Sequence, residues 1–93
     1  MSNTATGTAL INDPTGLHAR PAVKLARLAK TFKSSIEVSV STHGVWVDAK
    51  STNSLMKMKA ISGSELLIRA SGGDAQSAVC EMIKLITNDF KAR

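Results

Sequence analysis

The chain has 93 residues, 43 % of them apolar and interleaved with charge throughout, which suffices for one hydrophobic core and is too little for two. This pattern excludes a disordered chain, and no apolar run approaches the roughly 20 residues that span a bilayer, so membrane insertion is not expected. Twelve Lys and Arg against seven Asp and Glu give a net charge of +5, which favours an acidic partner. One domain over residues 1–93 is expected, with residues 1–4 frayed. The first residues hold neither a basic stretch nor an apolar one, so no secretory signal is read and a cytoplasmic home is expected. The single Cys80 cannot form an internal disulfide and reads as a half-buried helix residue.

Thr6 to Asn12 is predicted as a strand that ends at the turn Asp13-Pro14-Thr15-Gly16. A helix then starts near His18, with Ala22, Leu25, Ala26, Ala29 and Phe32 at helical spacing and Arg20, Lys24, Arg27 and Lys30 mostly opposite. Ile36, Val38 and Val40 alternate with Glu37, Ser39 and Ser41, as in a strand with one buried face. Thr42-His43-Gly44 turns the chain, and Val45 to Lys50 is predicted to return antiparallel. Ser51 can cap a short helix running to about Ala60, with Leu55 and either Met58 or Met56 inward, and Gly63 ending it. Glu65 to Ala70 supplies a fourth strand. Asp74 is placed to cap a last helix whose stripe is Ala75, Ala78, Val79, Met82, Ile83, Ile86 and Phe90. Such a sheet cannot bury its apolar face alone. The expected fold is therefore α+β, a two-layer open-faced sandwich in which three helices cover one face of a four-stranded antiparallel sheet. Trp46 is expected to cover the open face, and His43 to be a solvent-exposed turn residue.

Chemistry concentrates in Gly16-Leu17-His18-Ala19-Arg20-Pro21-Ala22, which places an imidazole where a turn enters a helix. Histidine is a poor helix cap, so stability alone does not explain it. The first helical turn offers unpaired amides and the positive end of the helix dipole, together an anion site. Arg20 adds a planar cation suited to phosphate oxygens, and Pro21 fits a first turn because its missing N–H is not needed there. Arg20, Lys24 and Arg27 form a basic strip that is either an ordinary solvated face or a surface steering an acidic partner. No cluster of His, Cys and carboxylates at ligand spacing calls for a metal, and no cofactor is expected.

The heptapeptide resembles the active-site signature of HPr, the histidine-containing phosphocarrier family of the bacterial sugar phosphotransferase system. Ala49-Lys50-Ser51, Gly63, the strand Leu66 to Ala70, Gly72 and the terminal amphipathic helix extend the likeness from Asp13 to Phe90. The resemblance implies a monomeric carrier phosphorylated on His18 through Nδ1, with Arg20 as the phosphate's partner. It would receive the group from phospho-enzyme I and give it to an enzyme IIA domain. The carrier would be an intermediate in phosphotransfer, not a turnover enzyme on its own. Ser51 matches a serine that a dedicated kinase phosphorylates in some members; capping of the short helix explains it equally well. Docking contacts implied near the site are Leu17, Ala19, Lys24, Arg27, Leu55, Met56 and the pair Thr52 and Asn53. That last pair is polar where many relatives are apolar, and it motivates the alternative of a phosphorylation-dependent regulatory adaptor of the nitrogen-branch type. A nucleic-acid binder, suggested by net charge alone, is disfavoured by dispersed cations and few aromatics.

Overall fold

The computed structural model describes residues 3–14, 16–40, 44–88 and 90. Along them run β1 (Thr4–Leu10), α1 (Ala19–Lys30), β2 (Ser35–Val40), β3 (Val47–Asp48), α2 (Thr52–Lys57), β4 (Glu65–Ser71) and α3 (Ala75–Thr87). The strands form one antiparallel sheet in the order β1-β4-β2-β3, and the helices cover one face of it. This is the α+β open-faced sandwich expected from the sequence. Thr15, Ser41, Thr42 and His43, with the turn and strand roles expected of them, lie outside the described residues.

Period-two alternation sets the sheet's faces. Leu66, Ile68 and Ala70 of β4 and Ile36 and Val38 of β2 point into the core, where Leu25, Leu55, Met82 and Ile86 meet them from the helices. The α3 helix packs on β1 and β4, and α1 packs on both other helices. Gly7 of β1 makes the first contact possible: a Cβ there would stand 2.6 Å from Ile83 Cδ1 and 2.9 Å from Val79 Cγ1. On the uncovered face Arg69 bonds Glu37 Oε1 at 2.8 Å, directly across the β2–β4 register. Its guanidinium also lies 4.0 Å from the centre of the Trp46 ring, a cation–π stack, so Trp46 does sit over the open face. Ser39, expected to face solvent, is instead buried. Extending the β2–β3 register puts the indole-bearing Trp46 opposite it.

Several boundaries differ from expectation for local reasons. Asn3 and Thr4, expected to fray, are held: Thr4 pairs with Ser71, and the Asn3 carbonyl accepts the Gly72 amide at 2.9 Å. The β3 strand keeps only two residues because Asp48 starts a turn, accepting the Lys50 amide on its side chain and the Ser51 amide on its carbonyl. The α2 helix stops at Lys57, well before Gly63, because Lys59 adopts a left-handed backbone with φ 53°. Asp74 precedes α3, yet its carboxylate makes no cap bond to that helix. It accepts instead from the Ser34 hydroxyl and from the amides of Lys33 and Ser34, 41 and 40 residues away, latching α3 to the α1–β2 turn. These donors, the Ser34 hydroxyl foremost, pull its pKa from 3.8 down to about 2. Leu28 and Leu85 join the buried helix stripes; Ile83 is only half-buried, Phe32 and Phe90 lie beyond the ends of α1 and α3, the first half-buried and the second buried, and Cys80, expected to be half-buried, is exposed.

Candidate functional site

The chain reaches α1 through Gly16, whose φ of +74° suits glycine and whose Cβ position lies 2.5 Å from the Ala60 carbonyl oxygen. That close approach lets the Leu17 amide donate to the same carbonyl at 2.8 Å. The strap from β1 to α1 is thereby fixed against the loop after α2. Leu17 is buried beneath it and anchors the strap in the core.

Held this way, His18 is the N-cap of α1, with φ −96° and ψ −167°. Its carbonyl accepts the Ala22 amide at 3.0 Å and starts the helical ladder. The ring makes no cap bond and is 44 % exposed. The amides of Ala19 and Arg20 precede the ladder, Pro21 has none, and no acidic residue occupies the first turn. Two backbone donors and the positive end of the helix dipole therefore lie at the start of α1 beside the histidine. Arg20 is exposed two residues on.

One neighbour is not legible in the sequence as part of the site. Asp13, expected only as a turn residue, brings Oδ1 to 4.0 Å from His18 Nε2. The turn itself accounts for this, since the Gly16 amide donates to the Asp13 carbonyl at 2.9 Å and folds the two side chains together. The spacing is too long for a direct hydrogen bond, yet the carboxylate lies on the Nε2 side of the ring and leaves Nδ1 on the other.

The remaining expected site residues are only partly brought together. Ala19 is exposed beside His18, and Arg27 is exposed farther along α1. Lys24, expected in a free basic strip, spends its ammonium on the Phe90 carbonyl at 2.7 Å and ties the end of the chain to α1. Leu17 and Leu55, expected as partner contacts, are core residues, because the strap and α2 each need one apolar anchor. Met56 points outward and is exposed. Ser51 caps α2, its hydroxyl oxygen accepting the Ser54 amide at 3.2 Å. Thr52 is half-buried and Asn53 exposed in that helix's first turn, and α2 packs against α1. Lys50, beside Ser51, donates to the Phe32 carbonyl at 3.0 Å. Among the described residues no group of three or more His, Cys, Asp or Glu could hold a metal, and no helix is long and apolar enough to cross a membrane.

This arrangement matches known proteins. Over residues 5–88 the chain fits the family described as PTS HPr component phosphorylation site. It is similar to the phosphocarrier protein HPr of Cupriavidus necator, 41 % identical over 75 residues that make up 81 % of this chain and 82 % of that one. The phosphocarrier protein NPr of Proteus mirabilis is 35 % identical over 80 residues, 86 % of this chain and 88 % of its own length. Among solved structures, HPr-C-His from Thermoanaerobacter tengcongensis superposes with a TM-score of 0.87 at 31 % identity, covering 96 % of this chain and 98 % of that one. With fold, motif and relatives in agreement, the chain belongs to the HPr family, the phosphocarriers of the phosphotransferase system.

Proposed function

We propose that His18 is the residue that carries the phosphoryl group, receiving it on Nδ1 from phospho-enzyme I and passing it to an enzyme IIA domain in the cytoplasm, the carrier acting as a monomer. The observation that supports this most is the exposed imidazole at the cap of α1, where the helix begins with no acidic residue in its first turn. With the Asp13 carboxylate on the Nε2 side of the ring, Nδ1 is the nitrogen left to act as nucleophile. Its lone pair attacks phosphorus in line as the donor's nitrogen–phosphorus bond breaks, and the donor imidazole keeps the bonding electrons. The amides and the Arg20 guanidinium then balance the charge on the phosphoryl oxygens. An exposed helix terminus holds the group without enclosing it, as onward transfer requires.

Incubation with phosphoenolpyruvate and enzyme I, followed by mass spectrometry, tests the assignment. One added phosphoryl group that disappears in His18→Ala is expected; labelling that survives the substitution overturns it. Arg20→Ala should slow transfer while leaving the site intact.

Thr52 and Asn53 at the start of α2, together with the likeness to an NPr, favour a second reading as a phosphorylation-dependent adaptor. Pulldowns comparing phosphorylated and unmodified protein decide it, because equal recovery of partners removes the idea. Ser51 is a further modification site under either reading. A phosphate there would meet the positive end of α2 and be tolerated locally while repelling an acidic partner.

A further inference from the structure

The sheet order β1-β4-β2-β3 leaves β1 and β3 as the two edges among the described residues. The β3 edge is a poor template for another strand, being two residues long with the charged Asp48 turning the chain away. The β1 edge is the opposite case. It runs for seven residues, Thr-Ala-Thr-Gly-Thr-Ala-Leu, with neither a charge nor a proline. It pairs with β4 in unbroken register from Thr4 to Leu10, so no bulge twists it away from a newcomer.

The direction of its main-chain groups follows from its two ends. The Asn3 carbonyl accepts from Gly72 and the Ile11 amide donates to Ser64, both on the β4 side. Amide and carbonyl change sides from one residue to the next, so the odd-numbered residues serve β4, and Thr6 and Thr8 direct theirs outward. The side chains of Thr6 and Thr8 are exposed on the uncovered face. Ala5 and Ala9 are buried on the helix side, where the half-buried Ile83 lies against Gly7.

The strand is also a palindrome about Gly7, with Thr6 matching Thr8 and Ala5 matching Ala9. Antiparallel pairing with a second copy about a two-fold axis at Gly7 sets Thr6 opposite the partner's Thr8, where their outward amides and carbonyls exchange reciprocal hydrogen bonds. Threonine then meets threonine on the open face, a favourable cross-strand pair, and alanine meets alanine beneath it. No like charges are opposed. An unrelated strand has no reason to match this order of residues.

We infer that β1 is a self-recognition edge: two copies of this chain join through it in antiparallel register about Gly7, making one continuous sheet. The inference does not rest on the assignment of His18. Gly16, Leu17 and Ala60, which fix the strap, take no part in it, and the single chain remains the carrier at low concentration. Seven residues of edge make a small interface, of the weak and transient class.

The test follows sedimentation and amide exchange of wild type, Thr6→Pro, and the double variants Thr6→Glu/Thr8→Glu and Thr6→Glu/Thr8→Lys from about 20 μM to about 1 mM, the range in which weak interfaces form. Wild type should move from monomer toward dimer across it, with exchange at the Thr6 and Thr8 amides slowing about twofold or more at the top. Thr6→Pro removes an outward amide and spares the ladder to β4, so it should stay monomeric with a melting temperature near that of wild type. The double glutamate sets like charges opposite one another and should stay monomeric as well. The Glu–Lys variant sets opposite charges across the axis and should dimerise at least as well as wild type at low salt, losing that advantage at high salt. Wild type that remains monomeric throughout overturns the inference. So does a dimer that survives Thr6→Pro or the double glutamate, or one that takes hours to separate on dilution, as exchange of a whole strand between copies would.

Discussion

Substituting Gly16 by alanine tests whether the strap that presents His18 is fixed by backbone contact. An added methyl would stand 2.5 Å from the Ala60 carbonyl oxygen and 3.0 Å from Ile61 Cα, and both are main-chain atoms that cannot rotate away. Holding a non-glycine residue at φ +74° costs about 1–2 kcal/mol. Relieving the overlap means withdrawing the strap and giving up the 2.8 Å bond between the Leu17 amide and Ala60, which adds about 1 kcal/mol. The total is about 2–3 kcal/mol, or a fall in melting temperature of about 8–24 °C for a domain of this size. Gly63→Ala is the matched control: its φ is +88°, but nothing lies within 4 Å of the added carbon, so only the conformational cost of about 1–2 kcal/mol applies. Urea unfolding of the two variants, with phosphoryl transfer measured alongside, gives the comparison. Equal losses of stability in both, or a Gly16→Ala carrier that transfers as fast as wild type, would refute the reasoning.

Ser51→Ala removes the hydroxyl that accepts the Ser54 amide and should lower stability by about 1 kcal/mol in a thermal melt, whereas Ser51→Asp keeps an acceptor and most of that stability. Asp74 contributes stability above its unfolded pKa, and that contribution is lost as pH falls through its folded value of about 2. Unfolding followed from pH 5 downward should therefore show a slope between about pH 4 and pH 2 that Asp74→Asn removes. Leu55→Ala empties a fully buried site and should cost about 2–5 kcal/mol in urea, while Met56→Ala on the exposed side of the same helix should change stability by about 0.5 kcal/mol or less.

What the sequence makes legible is what local periodicity and local chemistry control. The alternation in Ile36 to Val40 and Glu65 to Ala70 and the stripe of Ala22, Leu25 and Ala26 identify the layers, and the heptapeptide around His18 points to the candidate site at the start of α1. Contacts between distant segments have no local signature. Asp74 looks like an ordinary cap, and nothing near it says that its carboxylate belongs to Lys33 and Ser34. Lys24 looks like one of three equivalent cations until the Phe90 carbonyl, 66 residues on, is seen to take it. Gly63 is the conspicuous helix breaker after Ser51, but α2 ends earlier, because a lysine gives no sign that it will turn left-handed. Leu17 reads as a surface contact for a similar reason: its burial depends on a carbonyl 43 residues away.

The stack of Arg69 on Trp46 has a practical side. The chain contains a single tryptophan, so its indole emission comes wholly from the β3 edge, on the face turned away from the helices. Unzipping of that edge would uncover the ring and shift the emission to the red. Fluorescence thus offers a local gauge of the outermost strand, read without any label.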